Sequence, residues 1–125
     1  MRAILFDEST LYLGDVESPP ITSDELRIRV RATAVNRADL LQREGHYAPP
    51  PGASPILGLE CAGEVIEVGA NVRGWSVGDR AMALLAGGGY AEEVVVHHGS
   101  AIHVPDVLTE VEAGAMPEAF LTAYL

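Results

Sequence analysis

Residues 25–35, ELRIRVRATAV, alternate strictly, with Leu26, Ile28, Val30, Ala32 and Ala34 on one face and Arg27, Arg29, Arg31 and Thr33 on the other. A period of two marks a half-buried strand, and the arginine side reads as a solvated sheet surface. Ahead of it, Arg2 to Phe6 and Leu11 to Val16 flank a polar DEST segment, the pattern of a hairpin. SPP at 18–20 ends that hairpin, because proline brings no N–H to a ladder. ADLLQRE then predicts a short helix, with Asn36 as N-cap, Asp39 in the first turn and Gly45 closing it in the left-handed conformation. HYAPPPGASP, with four prolines, predicts a stiff extended loop. Strand-like ECAGEVIEVG, RAMALL and YAEEVVVHH follow, and Gly69, Gly74 and Gly78 punctuate them at the spacing of a small antiparallel barrel. Thr109 and Glu112 form a T-x-x-E capping box, and Pro117 opens a last apolar helix over 117–125. A helix that ends on FLTAYL exposes an apolar face unless something covers it, so the chain reads as truncated, and self-association into a homo-oligomer is expected.

Composition narrows the setting. A chain of 125 residues, 48% hydrophobic and 21% charged, suits one ordinary globular domain. Its eight basic residues are all arginine, and eighteen acids bring the formal net charge to −10. Such a chain repels phosphate backbones and anionic lipid, which speaks against nucleic acid and membrane as partners. The N-terminus meets Asp7 and Glu8 too early for a signal peptide, and no apolar run approaches the ~20 residues of a membrane span. A single cysteine excludes an internal disulfide and fits a reducing compartment, so a cytoplasmic location is expected.

Candidate chemistry is sparse. Cys61 stands next to Glu60 in PILGLECAGEV, and on a strand the two side chains point to opposite faces. The histidines at 46, 97, 98 and 103 form neither H-E-x-x-H nor any pairing with a second cysteine, so no zinc pattern is complete. Cys61 reads as a small buried hydrophobe, because Glu60 and Glu64 make its neighbourhood too acidic for a thiolate nucleophile. Gly58-x-x-x-x-Gly63 lacks the Lys-Ser/Thr of a phosphate loop, GGGY at 87–90 precedes a strand rather than a helix, and there is no G-x-S-x-G elbow. What remains is a set of polar residues, Asn36, Asp39, Tyr47, Glu60 and Thr122. Taken singly, each reads as structural: a cap for Asn36, packing on prolines for Tyr47.

Their order along the chain adds more. VNRADLLQREGHYAPPPGASPILGLECAGEVIEVG, then VGDRAMAL, GGGYAEEVVV and MPEAFLTAYL, resembles the N-terminal half of the medium-chain dehydrogenase/reductases. Within them it is similar to the zinc-free quinone oxidoreductases related to zeta-crystallin, and most of all to the tumour-suppressor-inducible NADPH:quinone oxidoreductase subgroup, which shares NRADL, the PPPGAS loop and PEA-LTA. The resemblance covers essentially the whole chain. It implies a mainly β fold with short helices, a GroES-like, partly open β-barrel over 1–125 whose terminal helix leads toward a Rossmann domain absent from the chain. It further implies that Asn36 and Leu59 stand where zinc-dependent alcohol dehydrogenases carry a cysteine and a histidine ligand, so that no zinc is held. By the same resemblance, Asn36, Asp39, Tyr47, Glu60 and Thr122 line the cleft beside the nicotinamide of NADPH. Tyr47 is then the expected orienter or acid toward a quinone or enone. Two other readings stay open, an enoyl-thioester reductase of the same superfamily and a stand-alone GroES-like binding or assembly module.

Overall fold

In a computed structural model, residues 1–8 and 10–124 are described; Ser9 of the DEST turn and Leu125 at the end of the expected last helix lie outside them. The described residues form strands β1 (Arg2–Asp7), β2 (Thr10–Asp15), β3 (Glu25–Thr33), β4 (Glu60–Val68), β5 (Arg80–Leu84), β6 (Glu93–His97) and β7 (Ala101–His103). The helices are short: α1 (Arg37–Arg43), α2 (Glu110–Gly114) and α3 (Pro117–Tyr124). β1 and β2 pair as the expected antiparallel hairpin, bridged to the rest of the chain where Ala3 meets Ala91. The other five strands form one antiparallel sheet in the order β6-β3-β4-β5-β7, curled into a half-barrel. The mainly β architecture with few short helices therefore agrees with the sequence reading.

The alternation in β3 works as its pattern requires. Leu26 and Ile28 are fully buried and join Cys61, Val65, Ala83 and Val94 in the main core. Ala62, one residue from Cys61, faces the other way and packs with Met82, Val104 and Ala113 of α2. Both faces of β4 are thus covered at its start, the interior by the barrel core and the outside by α2. The arginine face is only partly solvated. Arg29 and Arg31 are exposed, whereas the Arg27 side chain keeps 13% exposure between Glu67 at 2.8 Å and Glu93 at 3.6 Å. Opposite charges on the neighbouring strands draw it down onto the sheet.

β3 and β4 slip register between Arg27 and Ile28 and again between Val30 and Ala32. Bulges of this kind bend a strand and increase its twist, which supplies the curl. Gly63 sits in the tightest part: a Cβ there would lie 1.9 Å from the Arg29 carbonyl oxygen. Gly45, at φ +83°, ends α1 in the left-handed conformation as expected. Thr109 caps α2, its hydroxyl accepting the Glu112 N–H at 3.1 Å while Glu112 accepts the Thr109 N–H at 2.9 Å. β7, three residues long, was not anticipated from sequence. Among the described residues no helix is long and apolar enough to cross a membrane.

Candidate active site

The end of β3, the start of α1, the start of β4 and the start of α3 meet at one place. Asn36 is the extended residue before α1, with φ −114° and ψ 158°. Its backbone N–H donates to Asp39 Oδ2 at 2.9 Å, so the acid three residues on closes the first turn, as its spacing predicts. Asp39 is only 2% exposed and serves more than the helix. Its Oδ1 accepts the Gly58 N–H at 3.1 Å, and its Oδ2 also accepts the Tyr90 hydroxyl at 2.8 Å. A buried carboxylate demands donors on both oxygens, and here three segments supply them.

Glu60, also 2% exposed, opens β4. Its Oε1 accepts the Asn36 side-chain N–H at 3.2 Å, and its Oε2 accepts the Glu118 backbone N–H at 2.6 Å. Glu118 follows Pro117 at the start of α3, where N–H groups lack intrahelical partners and the helix dipole favours negative charge. Glu60 therefore satisfies a helix end from within the sheet. The Thr33 hydroxyl donates to the Glu60 carbonyl at 2.7 Å and ties the end of β3 to the same residue.

Next to Glu60, Cys61 turns into the core at 0% exposure. Burial first, and then the Glu60 charge, push its thiol up to about 12. A thiol held protonated in this way is a hydrophobe rather than a nucleophile, as the sequence reading has it. Tyr90 is likewise raised well above the ordinary phenol range, first by burial and then by its bond to Asp39, so its O–H stays a donor.

Of the five residues singled out from sequence, the structure brings Asn36, Asp39 and Glu60 into one hydrogen-bonded cluster. Tyr47 lies on the proline loop with 36% exposure, and Thr122 is exposed on α3. Among the described residues no hydrogen bond joins either of them to the cluster. Tyr90 belongs to the cluster and was missed; its only sequence signal is its place directly after the glycine run. Of the histidines, His97 stacks on His98, and His103 stacks on Trp75 at 3.7 Å between ring centroids. Among the described residues no three His, Cys, Asp or Glu side chains gather in a group able to hold a metal ion.

Known proteins share this architecture. Residues 22–106 match the family model of the alcohol dehydrogenase GroES-like domain. The mouse synaptic vesicle membrane protein VAT-1 homolog-like is 38% identical over 114 residues, which cover 91% of this chain and 27% of that protein. The chain thus spans about a quarter of that relative's length. The quinone oxidoreductase from Coxiella burnetii superposes with a TM-score of 0.88 at 30% identity, over 99% of this chain and 43% of the other. The CurK enoyl reductase superposes with a TM-score of 0.88 at 26% identity, over 98% of this chain and 40% of the other. The chain belongs to the alcohol dehydrogenase GroES-like domain family of the medium-chain dehydrogenase/reductase superfamily.

Proposed function

We propose that this chain is the catalytic-domain portion of an NADPH-dependent quinone oxidoreductase that reduces quinones or related enones without a metal. The observation that carries the reading is the chemistry at Asn36 and Leu59, which by the resemblance stand where zinc-dependent alcohol dehydrogenases hold ligands. The Asn36 amide N–H is engaged with Glu60 at 3.2 Å. Leu59 is apolar and 7% exposed. Neither side chain suits zinc, and Cys61 points away into the core. Without zinc to polarise an oxygen, the site would depend on hydrogen-bond donors such as the Tyr47 hydroxyl. That matches a quinone or enone, an acceptor reactive enough to need only such donors.

The reduction consumes one hydride and one proton per quinone, and bound NADPH would supply the hydride. Asn36, Asp39, Tyr47, Glu60 and Thr122 would line the nicotinamide side of the cleft. The roles divide by position. Asp39 and Glu60 are acceptors that fix Asn36 by its backbone and side-chain N–H groups. Tyr47 and Thr122 present hydroxyls at exposed positions. We assign to the Tyr47 O–H the role of donor to the oxygen that gains charge. Tyr47→Phe in the native gene product removes that donor and keeps the ring. Turnover with a quinone panel should fall roughly 10²-fold, as for the loss of other single oxyanion donors. Wild-type turnover on every quinone and enone tested would reduce Tyr47 to a wall residue.

A second reading, an enoyl-thioester reductase, is favoured by the likeness to the CurK enoyl reductase, whose TM-score of 0.88 equals that of the quinone oxidoreductase. Comparing kcat/KM for an enoyl thioester with that for a quinone separates the two. NADPH consumption with neither would point to a binding or assembly module instead.

A further inference from the structure

The glycine run at 87–89 lacks the spacing of a phosphate loop, yet its glycines are required by the packing. Gly58 takes φ +111°, and a Cβ on it would lie 2.6 Å from both the Gly89 Cα and the Tyr90 nitrogen. A Cβ on Gly87, at φ +157°, would lie 2.7 Å from the Ser54 carbonyl oxygen. Two glycine-bearing segments thus pass closer than any side chain permits. The contact is hydrogen-bonded: the Gly89 N–H donates to the Gly58 carbonyl at 3.1 Å, and the Tyr90 N–H to the Leu57 carbonyl at 2.9 Å. On its other side the Tyr90 carbonyl accepts the Ile4 N–H of β1 at 2.8 Å. The backbone of Tyr90 is therefore pinned between the hairpin and the 57–58 turn, and its side chain reaches Asp39, 51 residues away in sequence.

Asp39 is the junction that matters. Its Oδ2 holds the Asn36 N–H and its Oδ1 holds the Gly58 N–H, two residues before Glu60. One carboxylate thereby fixes the backbone beneath both members of the Asn36–Glu60 side-chain pair. We propose that Tyr90 is a positioning residue for the reaction, seated by the glycine run so that its hydroxyl clamps Asp39 and, through it, the relative placement of Asn36 and Glu60. The proposal rests on the quinone or enone reductase reading and deepens it. It assigns Tyr90 no contact with substrate. A half-buried tyrosine packs as well without its oxygen, so the hydroxyl is what the role requires.

Tyr90→Phe in the native gene product tests it with two independent readouts. The first needs no activity: amide hydrogen exchange at Asn36 and Gly58 should speed up several-fold, because Asp39 loses the donor that orients it. The second is kinetic: kcat on quinone should fall about 10-fold, since small misplacements of site groups carry large rate effects, while KM for NADPH stays within about twofold. The primary isotope effect with NADPH deuterated at the transferred hydrogen should rise as the hydride step becomes limiting. A merely structural role lowers the melting temperature but leaves the isotope effect per active molecule unchanged. Unchanged exchange at both amides overturns the proposal, as does altered exchange with wild-type kcat and isotope effect. A wild-type protein inactive on quinones and enones overturns the functional reading instead, and amide exchange then decides alone whether Tyr90 holds Asp39.

Discussion

Glu60 and Cys61 are neighbours in sequence with opposite fates, and β-strand alternation explains why. One carboxylate serves the cluster at the sheet's outer face, while the next side chain disappears into the core. The thiol makes a measurable prediction. Its folded-state value, raised from 9.0 to about 12, means that the native protein keeps a proton the unfolded chain gives up first. The stability tied to that proton is fully present below about pH 9 and is lost as pH rises toward about 12. The slope approaches 1.4 kcal/mol per pH unit, about the value for one proton. Urea midpoints measured from about pH 8 to about pH 10 should fall more steeply for the wild type than for Cys61→Ala. Tyr90 titrates in both proteins, so it cancels in the comparison. Parallel curves would show that the thiol is not held protonated by the fold.

At the scale of elements, the legible parts of the sequence were those whose cause is local. β3 announces itself because period two persists across its length, and α2 because both halves of its capping box lie within four residues. β7 left no signal, since Ala101–His103 is too short for any period and exists only because β5 offers an edge. The site divides in the same way. Asp39 capping Asn36 is a local event readable from spacing, whereas Tyr90 meeting Asp39 depends on a fold that brings distant glycines together. Asn36 and Glu60 stand out by their order along the chain rather than by chemistry, because each alone reads as structural. The glycines supply the element-scale prediction. Gly63→Ala sets a Cβ 1.9 Å from the Arg29 carbonyl and must force β3 and β4 apart. It should cost more than about 3 kcal/mol. Gly45→Ala meets nothing within 4 Å and suffers only from its φ of +83°. About 1 kcal/mol is expected there. Urea midpoints should follow that order, and a Gly45→Ala loss larger than that of Gly63→Ala would contradict the packing described.

For the molecule as a whole, two features compete. Val111, Phe120 and Tyr124 on α2 and α3 are 76%, 62% and 89% exposed, which puts large apolar side chains in water. A net charge of −10 opposes any contact between copies. Apolar burial is insensitive to screening, whereas repulsion weakens as salt shortens the Debye length. The 125-residue chain should therefore self-associate at roughly tens of micromolar, and more strongly at higher salt. Light scattering on the wild type and on Phe120→Ser with Tyr124→Ser checks this, the double variant being the more monomeric. A wild-type monomer at every salt concentration would mean that this face is satisfied by water.

The bond from Glu60 to the Glu118 N–H spans 58 residues of sequence, and its mechanical meaning is distinct from its chemistry. Lifting α3 from the sheet would leave a buried carboxylate oxygen without its donor, at a cost of about 1–3 kcal/mol. The first turn of α3 is therefore tied to the first residue of β4. The start of the helix is thereby anchored inside the candidate site, on the same carboxylate that holds Asn36.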